Sequence, residues 1–186
     1  MTEWDRAAGF VPGDDVVRLC REEDRRALRL LGSVPVWLDF LDSQYGRSPT
    51  VPDIASALAG IVDRHAPRAI AFPLGLYHSD HALAHAAALR LVPRFPETRW
   101  LMYEDALYRR IPGAVDGQTA ALERAGYALR EVKVATDENA AHVKHQAIGC
   151  YASQLKALAT PGRPGHRDTG APERYLEVIR TLAHAT

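Results

Sequence analysis

The chain has 186 residues, a length that suits one domain with a sizeable hydrophobic core. Its 23 basic and 23 acidic residues give a formal net charge of +0, which argues against a nucleic-acid-binding surface, because such domains usually carry a basic excess. No apolar run reaches the length of a membrane span. The two cysteines, Cys20 and Cys150, form neither a disulfide framework nor a CxxC site, so we expect a reducing, cytoplasmic environment.

The first half of the chain predicts helices and strands in alternation. Residues 1–13 have no regular pattern and are expected to be irregular. The predicted helices are 14–32, which starts at the acidic pair Asp14-Asp15, 53–65 and 82–92. The predicted strands are 34–38, where Pro35 indicates a strand start or an edge, and 69–72, a short buried run.

The second half continues the same alternation. Strands are predicted at 99–103 and 127–134, the second at an edge of the sheet, and helices at 118–124, 137–158 and 173–184. Residues 162–170 contain three glycines and a proline, which predicts a surface loop.

This order of elements predicts an α/β fold in a single domain over residues 1–186. Strands that alternate with helices favour right-handed crossovers and a mainly parallel sheet. We therefore expect Val34–Leu38, Ala69–Phe72 and Arg99–Tyr103 to be parallel neighbours, with His78 and Glu104 at the same edge of the sheet.

The stretch Phe72–His81 carries the most informative chemistry in the chain. Pro73 and Gly75 end the buried strand, and His78, Asp80 and His81 follow before the next helix. Ligand sites of open α/β sheets are built at this position, outside the carboxyl ends of the strands. Neutral imidazoles bind zinc, and a nearby carboxylate can orient them. An equally weighted alternative is a helix N-terminus capped by Ser79 or Asp80, with exposed histidines.

Five local patterns occur together along the chain. They are Trp4-Asp5-Arg6 with Gly9-Phe10, the Arg21-x-Glu23-Asp24 helix, the histidine loop, Tyr103-Glu104-Asp105, and Lys144 with Ala147, Tyr151 and Ser153-Gln154. In this order and spacing the chain resembles the PIG-L/LmbE-like family of zinc-dependent N-deacetylases, which includes enzymes acting on N-acetylglucosamine conjugates. The resemblance covers essentially the whole chain and implies a Rossmann-like three-layer α/β sandwich.

The resemblance also implies roles for individual residues. His81 matches the third zinc ligand of the family, His78 the group that stabilises the tetrahedral oxyanion, and Asp80 the carboxylate that orients His78. Arg21 and Glu23 match residues that line the substrate side, although a solvated helix face is the alternative.

Other acidic and histidine residues receive no catalytic role. Tyr103, Glu104 and Asp105 match a family pattern near the site without an assigned task, and Glu104-Asp105 could instead cap a turn. His142 and His145 mimic a ligand pair but lack an accompanying carboxylate or cysteine pattern, so we interpret them as surface or core histidines.

One family motif is absent from the sequence. Family members open with a strand ending in Ala-His-Pro-Asp-Asp-Glu, which supplies two zinc ligands and the general base. The early acidic pair Asp14-Asp15 follows Pro12-Gly13, so those roles are not transferred to it. The resemblance therefore implies that an opening βαβ portion is missing, either through a mis-set start or through true truncation. We expect an incomplete zinc ligand set, no stoichiometric zinc and negligible activity in the 186-residue chain.

The predicted function is zinc-dependent N-deacetylation of an N-acetylglucosamine-type or related small-molecule amide. The alternative is a decayed deacetylase that survives as a sugar-binding or structural partner. No nucleic-acid partner is expected. A homo-oligomer is a further expectation, because an unpaired strand edge in the incomplete fold can pair with the same edge of another chain.

Overall fold

The computed structural model describes residues 1–46, 48–135 and 137–179. Its contacts divide the chain into two compact units. The helical unit comprises the described residues of Met1–Asp39 and Ala135–Pro172, and the sheet unit comprises Phe40–Val134 and the described residues from Glu173 onward. The prediction of a single domain over residues 1–186 stays a prediction. Within the described residues, no helix combines the length and apolar character needed to cross a membrane.

The described residues contain seven α-helices and four strands. In chain order these are α1 (Glu3–Ala8), α2 (Val16–Leu30), α3 (Val51–His65), β1 (Ala69–Pro73), α4 (Ser79–Leu91), β2 (Arg99–Tyr103), α5 (Ala114–Arg124), β3 (Ala128–Val132), α6 (Glu138–Gly149), α7 (Ala152–Leu158) and β4 (Tyr175–Ile179). Helices α1, α2, α6 and α7 belong to the helical unit, and the remaining elements belong to the sheet unit.

The sheet has the strand order β1-β2-β4-β3 and mixed directions. Strand β1 pairs with β2 in parallel, from Ala69 opposite Arg99 to Pro73 opposite Tyr103. Strand β4 pairs antiparallel with both β2 and β3. The α/β class, the parallel β1–β2 pair and the edge position of β3 are therefore confirmed. The predictions of a mainly parallel sheet and of three parallel neighbours are wrong, because β4 is the second neighbour of β2 and is antiparallel to both strands beside it.

The predicted strand at Val34–Leu38 is absent, because those residues form irregular backbone in the helical unit. Pro35 has no N–H to donate to a ladder, and Val34 is 87% exposed, so this apolar run buries little. The segment is held instead by Trp37, whose Nε1 donates to Asp24 Oδ2 at 2.7 Å.

The predicted helix 173–184 is also wrong where the structure describes it. Residues Tyr175–Ile179 form β4, and residues 180–184 lie outside the described residues. The reason is tertiary: Glu177 in the middle of β4 is buried between Arg99 of β2 and Arg130 of β3. A strand aligns the three side chains across neighbouring strands, which a helix cannot do.

Two further corrections concern the helical unit. Residues 3–8, expected to be irregular, form α1, because Thr2 and Asp5 make a reciprocal capping box. The helix predicted over 137–158 is divided into α6 and α7 around Cys150-Tyr151. Two acidic residues of α2 fix this break. Glu23 accepts from the N–H and the hydroxyl of Ser153 at 2.9 and 2.7 Å, and Asp24 accepts from the Tyr151 hydroxyl at 2.7 Å.

The core of the sheet unit forms between the sheet and its helices. Helix α3 packs on α4, α4 packs on β1, and α5 packs on β3. Phe72 and Trp100 meet edge to face with ring centroids 6.0 Å apart, and Leu74 and Met102 are completely buried. These contacts anchor the carboxyl ends of β1 and β2, where the histidine loop begins.

Gly75 and His85 fix the path of the chain after β1. Gly75 has φ +86°, and a Cβ atom there would lie 2.8 Å from the Cβ of His85. The buried His85 lies with its Nδ1 3.0 Å from the Pro73 carbonyl and its Nε2 3.3 Å from the amide nitrogen of Gln118. Burial lowers the pKa of His85, which favours a neutral ring that donates from Nδ1 and accepts at Nε2.

The substitution Gly75→Ala is expected to lower the free energy of unfolding by about 1–3 kcal/mol, because it adds a left-handed backbone penalty to the contact with His85. Gly60→Ala is the matched control. Gly60 lies inside α3 with open space around its Cβ position, so alanine there should be neutral or stabilising by up to about 1 kcal/mol. Urea denaturation measures both, and equal effects of the two substitutions would contradict this explanation.

Glu177 makes the stability of the sheet depend on pH. Hydrogen bonds from Arg99 and Arg130 lower the pKa of Glu177 to about 2, from an ordinary value of 4.5. A carboxyl group with a lowered pKa in the folded state contributes stability above its unfolded pKa, and this contribution is lost as the pH falls from about 4.5 towards 2.

The variant Glu177→Gln should therefore be less stable than the wild type at pH 6, by about 1 kcal/mol because both arginines are more than half exposed. The difference should shrink as the pH falls towards 2. Chemical denaturation of both proteins across this range measures it. A difference that stays constant with pH would exclude the proposed contribution of the Glu177 charge.

Candidate functional site

The candidate site lies in the sheet unit, where the loop after β1 meets the N-terminus of α4. His78 is the N-cap residue of α4, and its Nδ1 accepts the backbone N–H of Asp80 at 3.2 Å. The helix is thus capped by His78 itself and not by Ser79 or Asp80. Because Nδ1 acts as the acceptor, the proton of the neutral ring is assigned to Nε2.

His81, one turn into α4, faces a buried carboxylate. Its Nδ1 lies 2.7 Å from Oδ1 of Asp105, which is within ion-pair distance. The ring N–H does not point at that oxygen with a hydrogen-bonding angle, and neither atom has another hydrogen-bond partner among the described residues. A carboxylate oxygen at this distance favours a proton on the ring nitrogen that faces it. The proton of His81 is therefore assigned to Nδ1, which leaves the Nε2 lone pair for a ligand.

Asp105 joins the ends of the two parallel strands. It lies two residues beyond β2 and is 1% exposed. Its Oδ2 accepts the backbone N–H of Leu76 at 2.8 Å, in the loop that follows β1. Since β1 and β2 are parallel neighbours, the prediction that His78 and Glu104 lie at the same edge of the sheet is confirmed. The specific contact of Asp105 with His81 was not predicted.

Asp80 is the third residue that the sequence selects in this loop. It lines a cavity of about 160 Å³ together with mainly apolar side chains, which are Phe40, Leu41, Asp42, Pro49, Ile54 and Leu83. Burial and the nearby charge of Asp42 raise the pKa of Asp80. The hydrogen bond between Asp80 and the His78 ring is made by the backbone N–H. The orienting role of the Asp80 carboxylate stays a prediction.

A tyrosine that sequence reasoning did not single out contacts both histidines. The ring of Tyr108 lies edge-on to His81 at 5.6 Å and roughly parallel to His78 at 6.3 Å, measured between ring centroids. Tyr108 comes three residues after Asp105 and packs partly on the hydrophobic core. Its only sequence signal was its position just beyond the carboxyl end of a strand.

Arg21 and Glu23, predicted on the substrate side, belong to the helical unit. Both oxygens of the buried Glu23 carboxylate accept hydrogen bonds from Ser153. Arg21 donates to Asp39 at 3.3 Å, and its guanidinium lies 5.5 Å from the centre of the Trp37 ring. These contacts give both residues partners within their own unit, and their role towards a substrate stays a prediction.

The other sequence-selected residues have ordinary structural surroundings. Glu104 is buried and accepts from Arg174 at 2.8 Å. His142 and His145 are exposed on α6, in agreement with their interpretation as surface histidines. Burial raises the pKa of Tyr103 to about 12, so this phenol stays protonated at neutral pH.

The described residues do not fit a three-ligand zinc site. Across the described ranges, no group of three or more His, Cys, Asp or Glu side chains is placed to hold a metal ion. His81, with Asp105 behind it, offers one imidazole lone pair, whereas catalytic zinc sites use three protein ligands and a water molecule. The expected incomplete zinc ligand set stays a prediction.

Several solved deacetylase structures resemble the chain in fold. The deacetylase triple mutant Orf2*T of the teicoplanin biosynthetic pathway superposes with a TM-score of 0.76 at 23% identity, covering 97% of this chain and 78% of that chain. The zinc-inhibited form of teicoplanin deacetylase Orf2 gives 0.75 at 20% identity over 97% and 80%. The A40926 pseudoaglycone deacetylase Dbv21 gives 0.71 at 24% identity over 97% and 78%.

Because the sequence identities are all below 25%, these similarities show the fold alone. No protein-family model and no curated protein matches the chain. The activities of the deacetylases therefore enter below only as support for a proposal.

Replacing Asp105 by asparagine tests the contact that joins the two loops. The amide side chain of the Asp105→Asn variant would keep one acceptor oxygen, which can serve Leu76 or His81 but not both. We therefore expect a loss of about 1–3 kcal/mol in unfolding free energy. Asp63→Asn is the control, because Asp63 forms an exposed pair with Arg94 and should change stability by less than about 0.5–1 kcal/mol.

Urea denaturation of the two variants gives the comparison. If Asp105→Asn proves as mild as Asp63→Asn, the Asp105 carboxylate does not hold the loop after β1.

Proposed function

We propose that this chain belongs with the PIG-L/LmbE-like N-deacetylases and acts on the amide of an N-acyl amino sugar or a related small molecule. The observation that carries the proposal is the surroundings of the two Nδ1 atoms. Nδ1 of His78 accepts the N–H of Asp80, and Nδ1 of His81 lies 2.7 Å from Oδ1 of Asp105, so we assign Nε2 of each ring to a ligand. The fold similarity to deacetylases of glycopeptide antibiotics supports it. A Rossmann-like sandwich is part of the same proposal.

In this proposal His78 stabilises negative charge on the substrate. Hydrolysis adds the oxygen of water to the acyl carbon and breaks the C–N bond, so that the nitrogen leaves as an amine with the transferred proton. The carbonyl oxygen carries negative charge in the tetrahedral intermediate. His78 would donate a hydrogen bond from Nε2 to that oxygen, because its Nδ1 is occupied by the N–H of Asp80.

His81 would present its Nε2 lone pair as a ligand for zinc, with Asp105 fixing the ring from the other side. The described donors do not complete a three-ligand set, so no step of hydrolysis is assigned to a metal here. Arg21 and Glu23 are proposed to serve the substrate, as the sequence resemblance implies.

Amine release from an N-acetylglucosamine glycoside, with zinc added in excess, tests the proposal. We expect the purified chain to contain much less than one zinc per molecule and to show negligible turnover as isolated, with slow turnover once zinc is added in excess. His78→Ala should lower that turnover by about 10²–10³-fold, as for loss of an oxyanion donor. His81→Ala should abolish it, and His65→Ala at the exposed end of α3 is the control that should leave it unchanged.

Two results would count against hydrolysis. One is the absence of amine release at every zinc concentration, and the other is release that survives both His78→Ala and His81→Ala. Tightly bound stoichiometric zinc in the purified chain would contradict the one-ligand interpretation and direct attention to Asp105 and Glu104.

A second candidate function is non-catalytic binding of an amino sugar. The observation that favours it is the lack of a metal-holding group among the described residues. Saturable binding of the glycoside without amine release at any zinc concentration distinguishes this function from hydrolysis.

A further inference from the structure

Tyr77, next to the candidate catalytic histidine, has an unusual conformation for a bulky residue. Its φ is +60°, and its turn is closed by a 2.6 Å hydrogen bond from the N–H of His78 to the carbonyl of Leu76. Its side chain is nevertheless 81% exposed, so burial does not offset the backbone strain. Strained backbone of this kind is concentrated at functional sites and ligand clamps.

The ring of Tyr77 stacks on Tyr108. Their centroids are 5.2 Å apart and their planes are inclined by 28°. The residue before Tyr108, Leu107, also has a positive φ of +73°. Strained backbone therefore lies at Tyr77 itself and directly before Tyr108. Because Tyr108 packs partly on the core and touches His78 and His81, it ties the exposed ring of Tyr77 to the candidate site.

An aromatic ring that is both exposed and held in place is suited to a flat, partly apolar ligand. Such a ring loses little conformational freedom when it binds, which preserves affinity. A pyranose ring presents a flat face of C–H groups with hydroxyl groups at its edge. This flat face can pack on the exposed ring of Tyr77. An acyl chain would instead favour a mainly apolar space such as the separate, partly open cavity beside Asp80.

We propose that Tyr77 and Tyr108 form a stacking platform for the sugar ring of the substrate, beside His78 and His81. The inference rests on the proposed function for the nature of the ligand, an N-acyl amino sugar. It adds the position of the pyranose ring and two residues that determine specificity for sugars over other amides. No role in bond breaking is assigned to either tyrosine.

Binding measured by NMR on the full 186-residue chain tests the platform without any need for turnover. The probe is the methyl glycoside of N-acetylglucosamine, and N-methylacetamide is the amide without a sugar ring. Tyr77→Ala should weaken binding of the glycoside by about 3- to 10-fold, the range expected for loss of an aromatic contact. Tyr77→Phe should bind like the wild type, because it keeps the ring. Tyr45→Ala, at another exposed tyrosine of the sheet unit, is the control and should also bind like the wild type.

Saturation transfer in the wild type gives a second measurement that does not depend on a variant folding. Irradiation of tyrosine ring protons should transfer to the pyranose protons more strongly than to the acetyl methyl group. Binding of N-methylacetamide should be the same in the wild type and in Tyr77→Ala. Unchanged glycoside affinity in a folded Tyr77→Ala variant, or no saturable binding by the wild type, would overturn the platform.

The two proposals fail in different ways. Binding that depends on Tyr77 without amine release at any zinc concentration would keep the platform and reject the hydrolase. Amine release with KM unaffected by Tyr77→Ala would keep the hydrolase and reject the platform.

Discussion

The buried carboxylate of Asp105 is the group on which the arrangement of the candidate site depends. One of its oxygens accepts the N–H of Leu76 and the other faces Nδ1 of His81. Burying a carboxylate costs several kcal/mol unless it is compensated by hydrogen bonds or opposite charge, so these contacts constrain the loop after β1 and the first turn of α4 together. The parallel pairing of β1 and β2 is what places Asp105 within reach of both partners.

The same region shows how local conformation supports a site. Gly75 allows the chain to turn against His85, and the neutral His85 holds the Pro73 carbonyl. Beyond this turn the chain accepts a strained tyrosine, Tyr77, directly before His78. The Gly75–His85 packing makes the start of the loop rigid, and Tyr77 adds strained backbone within it. Both features are typical of a preorganised ligand-binding loop.

Much of the sheet unit could be predicted from sequence because its signals are local. Short apolar runs bounded by Pro and Gly predict β1 and β2, whereas α3, α4 and α5 begin at Val51, Ser79 and Ala114, a few residues before the predicted starts. β4 could not be predicted this way, because the apolar residues of Tyr175–Ile179 fit a helix as well as a strand. Contacts of Glu177 with Arg99 and Arg130, 78 and 47 residues away in sequence, decide between them.

The same limit applies to the helical unit and to the site. The break between α6 and α7 depends on Glu23, which contacts Ser153 across 130 residues of sequence. His78 and His81 could be selected because they lie in one short motif. The contacts of Asp105 and Tyr108 with His81 could be recognised only from the structure, which places the loop after β2 beside the loop after β1.

The central claim is that the protein fixes the two histidines in opposite tautomers, so that His78 donates a hydrogen bond from Nε2 and His81 offers a lone pair from Nε2. Long-range ¹H–¹⁵N NMR of the wild-type chain at about pH 8 measures this directly, because it reports which ring nitrogen carries the proton. We expect the proton of His78 on Nε2 and that of His81 on Nδ1. The same tautomer in both rings, or the reverse assignment, would contradict the proposed division of roles.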